Sequence, residues 1–193
     1  RVEVVRGATG LLQGAGSPSA AINMVRKRPL AERQLEVSAS VGSWNNLRSE
    51  IDATGPLNEA GTLRGRVVAS LNSRDYFYDV ASSRTGVLYG VLEYDLSSQT
   101  RLTVGATHER LRSTPFFQGL PRYADGADLR LPRSTFLGAD WNRWDSEQTS
   151  LFAELQHRFN ADWTVKATAG YTREKHDMKY AFALGAINPA TLA

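Results

Sequence analysis

The chain has no cysteine, only three histidines, no block of about five or six like charges, and no apolar run of the roughly eighteen residues that a membrane helix needs. Each absence excludes something. Without cysteine these residues hold neither a disulfide scaffold nor a thiolate metal site. His108, His157 and His176 stand apart, with no H-E-x-x-H and no i,i+4 pair, so no metal ligands are expected. With 23 basic and 20 acidic side chains, the net charge of +3 forms no nucleic-acid footprint. A mean hydropathy of −0.36 argues against a helical membrane protein. A membrane barrel escapes that objection, because every second strand residue faces a polar lumen. No G-x-S-x-G occurs, and Glu93 with Asp95, or Asp125 with Asp128, default to lumen or solvent, so no catalytic residue is assigned.

What the chain does have is period two. Leu35, Val37, Ala39 and Val41 alternate with Gln34, Glu36, Ser38 and Ser40, which describes a strand apolar on one face and wet on the other. The same alternation recurs over 47–54, 63–72, 85–96, 100–112, 147–159 and 163–172, about seven strands in all. Over 85–96, Leu88, Gly90, Leu92 and Tyr94 are expected to share a face opposite Glu93 and Asp95. The connections alternate in length. Those at 56–61, 96–99 and 159–162 are short, whereas 72–84 and 113–146 are long, the asymmetry of outer-membrane barrels with short periplasmic turns and long extracellular loops. Tyr94, Phe159 and Trp163 stand beside the short turns, where an interfacial aromatic girdle belongs.

Residues 1–29 differ from the rest. They read as a strand, a glycine-rich elbow with Gly7, Gly10, Gly14 and Gly16, and a second strand ending at Pro29. The elbow is not a phosphate loop: Ser19 stands where a third Gly or Ala is required, Pro18 where a helix would open, and no Gly-Lys-Ser/Thr follows.

The stretch VEVVRGATGLLQGAGSPSAAINMVRKRP resembles the closing segment of the plug domain of TonB-dependent outer-membrane receptors, with Ala8 where Pro is commoner and Gln13 where Tyr is usual. Gly119-Leu120-Pro121, Asp125-Gly126, Leu131-Pro132-Arg133-Ser134-Thr135 and Leu137-Gly138-Ala139-Asp140-Trp141 are similar to the ferric-siderophore branch of that family, of the ferripyoverdine and ferric-coprogen type. The resemblance implies an all-β membrane β-barrel of antiparallel strands, a ~22-stranded plugged barrel, incomplete here and preceded by the C-terminal part of an α+β plug. The expected division is 1–29 plug and 30–193 barrel. With no initiator Met at Arg1 and a loop at 188–193, the chain is expected to be a fragment whose open edges make it aggregate in isolation.

The implied function is uptake of a ferric siderophore across the bacterial outer membrane. The ligand is captured by extracellular loops and plug apex, and TonB, acting through a segment absent from this chain, rearranges the plug. Outer-membrane lipid and the ferric siderophore are the expected partners, and iron arrives chelated rather than bound by protein ligands. Arg6, at the family's R-G step, is the expected plug-barrel latch, since a buried guanidinium needs a carboxylate; a solvated plug-surface Arg is the alternative. Arg26, Lys27 and Arg28 are expected to face the lumen wall or periplasm. Ligand candidates are Trp44, Tyr76, Phe77, Tyr78, Phe116, Phe117, Arg122, Tyr123, Arg133, Trp141 and Trp144, since aromatic and Arg side chains suit an oxygen-rich, often anionic chelate. Girdle or loop packing is the competing role for each. Cobalamin or oligosaccharide uptake, a barrel hydrolase and a soluble β-sandwich binding module stay open as alternatives.

Overall fold

The structure, a computed structural model, describes residues 2–7, 20–182, 185–188 and 190, with only the backbone of residues 5 and 6. It contains nine strands among these residues: β1 (Val2–Arg6), β2 (Ala20–Met24), β3 (Gln34–Gly42), β4 (Asn46–Pro56), β5 (Leu63–Asp75), β6 (Ser82–Asp95), β7 (Thr100–Thr114), β8 (Arg143–Arg158) and β9 (Thr164–Lys179). β1 and β2 form an antiparallel pair, and β3 to β9 form one antiparallel sheet in chain order, its two outer edges β3 and β9 left unpaired. All seven strands read from the alternation are present.

The sheet has two unlike faces. Ile51 is 50% exposed and its neighbour Asp52 3%; Leu92 is 44% exposed and Glu93 5%; Val104 is 39% exposed and Thr103 2%. Charge is buried and apolar surface is exposed, the inverse of a water-soluble protein and the arrangement of a membrane-barrel wall. Leu88, Leu92 and Tyr94 share the exposed face, as their alternation with Glu93 predicts. Tyr94, Phe159 and Trp163 are exposed beside the short turns. No helix among the described residues is long and apolar enough to cross a membrane, which says nothing of strands.

The strands run further than the apolar alternation indicated, to Asp75 on β5, Thr114 on β7 and Lys179 on β9, and β8 starts at Arg143. The alternation stops where outward residues become charged, but ladder hydrogen bonds continue because backbone pairing needs no apolar side chain. The long connections shrink accordingly to 76–81 and 115–142, and Trp144 lies on β8 rather than in a loop. On the inward face the Phe152 ring lies across Gly105, where an added Cβ would stand 2.5 Å from the ring, so only glycine fits.

The second plug strand also departs from expectation. β2 ends at Met24, and residues 25–30 continue as a tail outside both sheets. Its backbone bonds to side chains of the wall instead. Tyr89 Oη donates to the Lys27 carbonyl at 2.7 Å, an Arg66 guanidinium N–H donates to the Arg28 carbonyl at 3.0 Å, and the Leu30 N–H donates to Thr54 Oγ1 at 2.9 Å. Pro29, which has no N–H to satisfy, is buried between them.

Candidate functional site

Two places on the inward face and its rim gather candidate side chains. The first is the seam between the tail and the wall. The register sets Arg64, Glu93, Thr103, Glu154 and Thr168 side by side on β5 to β9, all on the inward face. Arg28 reaches across that row. Its guanidinium donates to Glu93 at 3.1 Å, Thr103 Oγ1 at 2.9 Å and Glu154 at 2.6 Å. Lys27 meets Asp52 at 2.7 Å and Glu50 at 3.4 Å.

Each carboxylate is shared with a wall cation: Asp52 with Arg66 at 2.7 Å, Glu93 with Arg64 at 3.0 Å, Glu154 with Lys166 at 3.0 Å. Two cations facing one buried carboxylate offset its desolvation better than one partner does. The hydrogen bond to Asp52 holds the Lys27 ammonium above its ordinary value, with burial opposing, and the bond to Glu154 does the same for Arg28. Arg26 lies 4.5 Å over the Phe152 ring. The tail cations therefore face the lumen wall, as expected. The Arg6 side chain, and Gly10, Gly14 and Gly16, lie outside the described residues. Gly7 is at φ 99°, a left-handed position that favours glycine, with no crowding around it. Among the described residues, the tail cations ion-paired to the wall are Lys27 and Arg28, which nothing in the residue pattern marks beyond their place before Pro29.

The second place is the rim on the long-connection side. Trp44, at φ 57°, and Asn45, at φ 52°, form the tight β3–β4 turn, held by Asn45 Nδ2 donating to Asp75 at 2.7 Å. From Trp44 an aromatic run proceeds through Phe77 (6.4 Å between centroids), Tyr78 (4.8 Å), Phe116 (5.8 Å) and Phe136 (5.3 Å), with Tyr76 stacked on Tyr78 at 5.4 Å. Arg133 sits 4.6 Å over Phe77 and Arg74 4.5 Å over Tyr76. Burial raises the Tyr78 phenol above its ordinary value. A second cluster joins Phe117 to Trp144 (5.4 Å) and to Tyr180 (5.2 Å).

The structure thus brings together Trp44, Tyr76, Phe77, Tyr78, Phe116 and Arg133 in one array, and Phe117 and Trp144 in another. Arg122 and Tyr123 stand apart, in a hairpin tip where an Arg122 guanidinium N–H donates to the Gly126 carbonyl and Tyr123 bridges to Ile187. Trp141 faces Lys179 at 4.6 Å. Phe136 and Tyr180 extend these clusters, and Asn142 braces them, without a sequence signal that marks any of the three. Asn142, 2% exposed, exchanges two hydrogen bonds with the Ala181 backbone and clasps the long connection to the segment after β9. Asparagine in a loop carries no such signal until its partner, 39 residues on, is known.

No family model matches the chain. It is 47% identical over 187 residues to a ferric-pyoverdine receptor of a Pseudomonas species, covering 97% of this chain and 23% of that protein. To the ferripyoverdine receptor of Pseudomonas aeruginosa it is 42% identical over 169 residues, 86% of this chain and 21% of that protein. Among solved structures, the outer-membrane ferripyoverdine receptor of Pseudomonas aeruginosa bound to ferripyoverdine superposes with a TM-score of 0.88 at 38% identity, over 95% of this chain and 25% of that one. The alcaligin outer-membrane receptor of Bordetella pertussis gives 0.73 at 36% identity, over 92% of this chain and 26% of that one. The chain spans about a quarter of the length of these relatives.

Proposed function

The chain belongs to the TonB-dependent siderophore receptors, and on that premise we propose that the protein containing it takes up a ferric siderophore of the pyoverdine class across the bacterial outer membrane. Residues 1–29 are then the end of the plug, and residues 30–193 the first arc of the barrel. The observation that carries this reading is the facing of the sheet: buried carboxylates on the side that holds the tail, exposed Leu, Ile and Val on the other. Such a sheet needs lipid outside and a filled lumen inside.

In this reading the rim aromatics and Arg133 form part of the outer ligand surface. Their stacked faces and guanidinium suit a flat, oxygen-rich chelate. Lys27 and Arg28 hold the plug's exit to the wall while TonB, engaging a segment outside this chain, moves the remainder. The side chains perform no bond-making step. The relative named as a metal-pseudopaline receptor, 34% identical over 174 residues, supports a chelated metal as the cargo while leaving the chelator's structure to experiment.

The test is equilibrium binding of ferric pyoverdine to the full-length receptor by fluorescence quenching. Wild type should bind, and Tyr78→Ala with Phe116→Ala should weaken binding about tenfold, since each removes an aromatic face worth roughly 0.5–1.5 kcal/mol. Binding of cobalamin or an oligosaccharide in place of every ferric chelate tried would overturn the siderophore assignment.

A further inference from the structure

The ladder between β8 and β9 ends at the pair Arg143 and Lys179. One residue earlier the β8 side turns away, the Asn142 N–H donating to the Ala139 carbonyl at 2.9 Å, and the Asn142 side chain takes over the pairing. Its Nδ2 donates to the Ala181 carbonyl at 3.0 Å and its Oδ1 accepts from the Ala181 N–H at 2.8 Å, the two-point match of a peptide group. The amide is buried, so both bonds are needed to offset its desolvation. On the far side of the turn Gly138 bridges to Phe182 and completes the grip on 180–182.

From that grip a closed circuit of contacts leads to the rim array. A Cβ at Gly138 would stand 2.7 Å from Asn142 Nδ2 and 2.7 Å from Phe136 Cζ, so amide and ring share the space that a side chain would fill. Phe136 faces Phe116 at 5.3 Å, and Phe116 faces Tyr78 at 5.8 Å. From the other side, Tyr180, the neighbour of Ala181, accepts a hydrogen bond from the Phe117 N–H at 2.8 Å through its phenol oxygen and donates one to Gln118 Oε1. The Phe116 ring is thus braced by Asn142 through Gly138 and Phe136, and the backbone beside it by Asn142 through Ala181 and Tyr180. Buried itself, Asn142 has no surface to offer a ligand.

We propose that Asn142 is the positioning residue of the outer ligand surface: it joins the β7–β8 connection to the segment after β9 and fixes where the Phe116 and Phe136 faces stand, so that both segments meet the ligand as one preorganised unit. Faces already held in place lose little freedom on binding, and the affinity rises accordingly. The inference rests on the ferric-siderophore reading above and adds to it a residue that acts only through others.

The probe is ferric pyoverdine, titrated by fluorescence quenching against the intact detergent-solubilised receptor, with affinity and the number of sites per receptor fitted separately. Asn142→Ala should leave the number of sites unchanged and weaken affinity about tenfold, mainly through faster release. In a Phe136→Ala background, where the ring it acts through is gone, the same change should cost about threefold or less, whereas in a Trp44→Ala background, at the far end of the aromatic run, the cost of about tenfold should persist. Gly138→Ala, whose added methyl displaces the amide or the ring, makes the same comparison if Asn142→Ala does not fold, as judged by heat-modifiable migration. Fewer sites at unchanged affinity, the signature of a purely structural role, or an undiminished cost in the Phe136→Ala background would overturn the proposal. Hydrogen exchange on the same samples separates it from the uptake reading. In Asn142→Ala the Phe117 amide should exchange faster although its acceptor, Tyr180, is untouched; an unchanged Phe117 amide sinks the proposal. A wild type that binds no ferric chelate while this coupling persists sinks only the uptake reading.

Discussion

The two faces of one sheet use the same residue types for opposite purposes. Inward, Arg64, Arg66 and Arg101 are held by Glu93, Asp52 and Asp95, and the tail adds Lys27 and Arg28 to the same carboxylates. Outward, Arg84, Arg110 and Arg112 have no carboxylate partner among the described residues, and Arg84 stands directly opposite Arg112. The inward carboxylates are buried and must be paired, so they gather cations from both tail and wall, whereas an outward cation above the apolar border remains solvated.

The largest expected effect breaks the facing itself. Val67→Arg, at the centre of the outward band of β5, should destabilise the intact receptor by about 2–4 kcal/mol in urea titrations of vesicle-reconstituted protein. Ser70→Arg, three residues on and inward, should change stability by no more than about 0.5 kcal/mol, because Glu50 lies directly across the ladder to receive it. Equal losses at the two positions would mean that the faces are misassigned. Arg28→Ala comes next, leaving Glu93 to Arg64 and Arg101, and Glu154 to Lys166. The loss should be about 1–2 kcal/mol rather than that of a fully buried pair, since the Arg28 side chain is 44% exposed and solvent screens it. Adding Glu154→Gln should recover part of it. No recovery in this cycle would show that Arg28 acts through its other contacts.

The barrel arc was legible because alternation is local: Leu88, Leu92 and Tyr94 betray their face without knowledge of any partner strand. The limits of the strands were not, since beyond Thr172 or Arg112 the ladder is held by backbone pairing that leaves no apolar trace. The aromatic candidates were legible as residue types, but which of them meet depends on how connections 76–81 and 115–142 fold together, so Trp44, Tyr78, Phe116 and Arg133 joined while Arg122 and Tyr123 did not. The tail was misread for a related reason. Ala20 to Arg28 has the composition of a strand, and only the wall's Tyr89, Arg66 and Thr54 show that residues 27–30 bond to side chains and not to a ladder.

The smallest expected effect separates the two tail cations by pH. Lys27 titrates above its ordinary value of 10.5 because its ammonium donates to Asp52, so the folded state holds that proton more tightly than the unfolded chain does. Its contribution is therefore fully present below pH 10.5 and is lost as the pH rises through the raised folded value. With the Lys27 side chain 43% exposed, the gap between wild type and Lys27→Met should be only about 0.5 kcal/mol near neutrality. That gap should stay flat through pH 10 and close above it, followed by the same urea titration in alkaline buffers. Arg28 keeps its charge throughout that range, so the gap between wild type and Arg28→Ala should persist where the Lys27 gap has vanished. If both gaps closed together, the tail would be releasing as a unit from the wall, and Lys27 rather than Arg28 would be the residue that holds it.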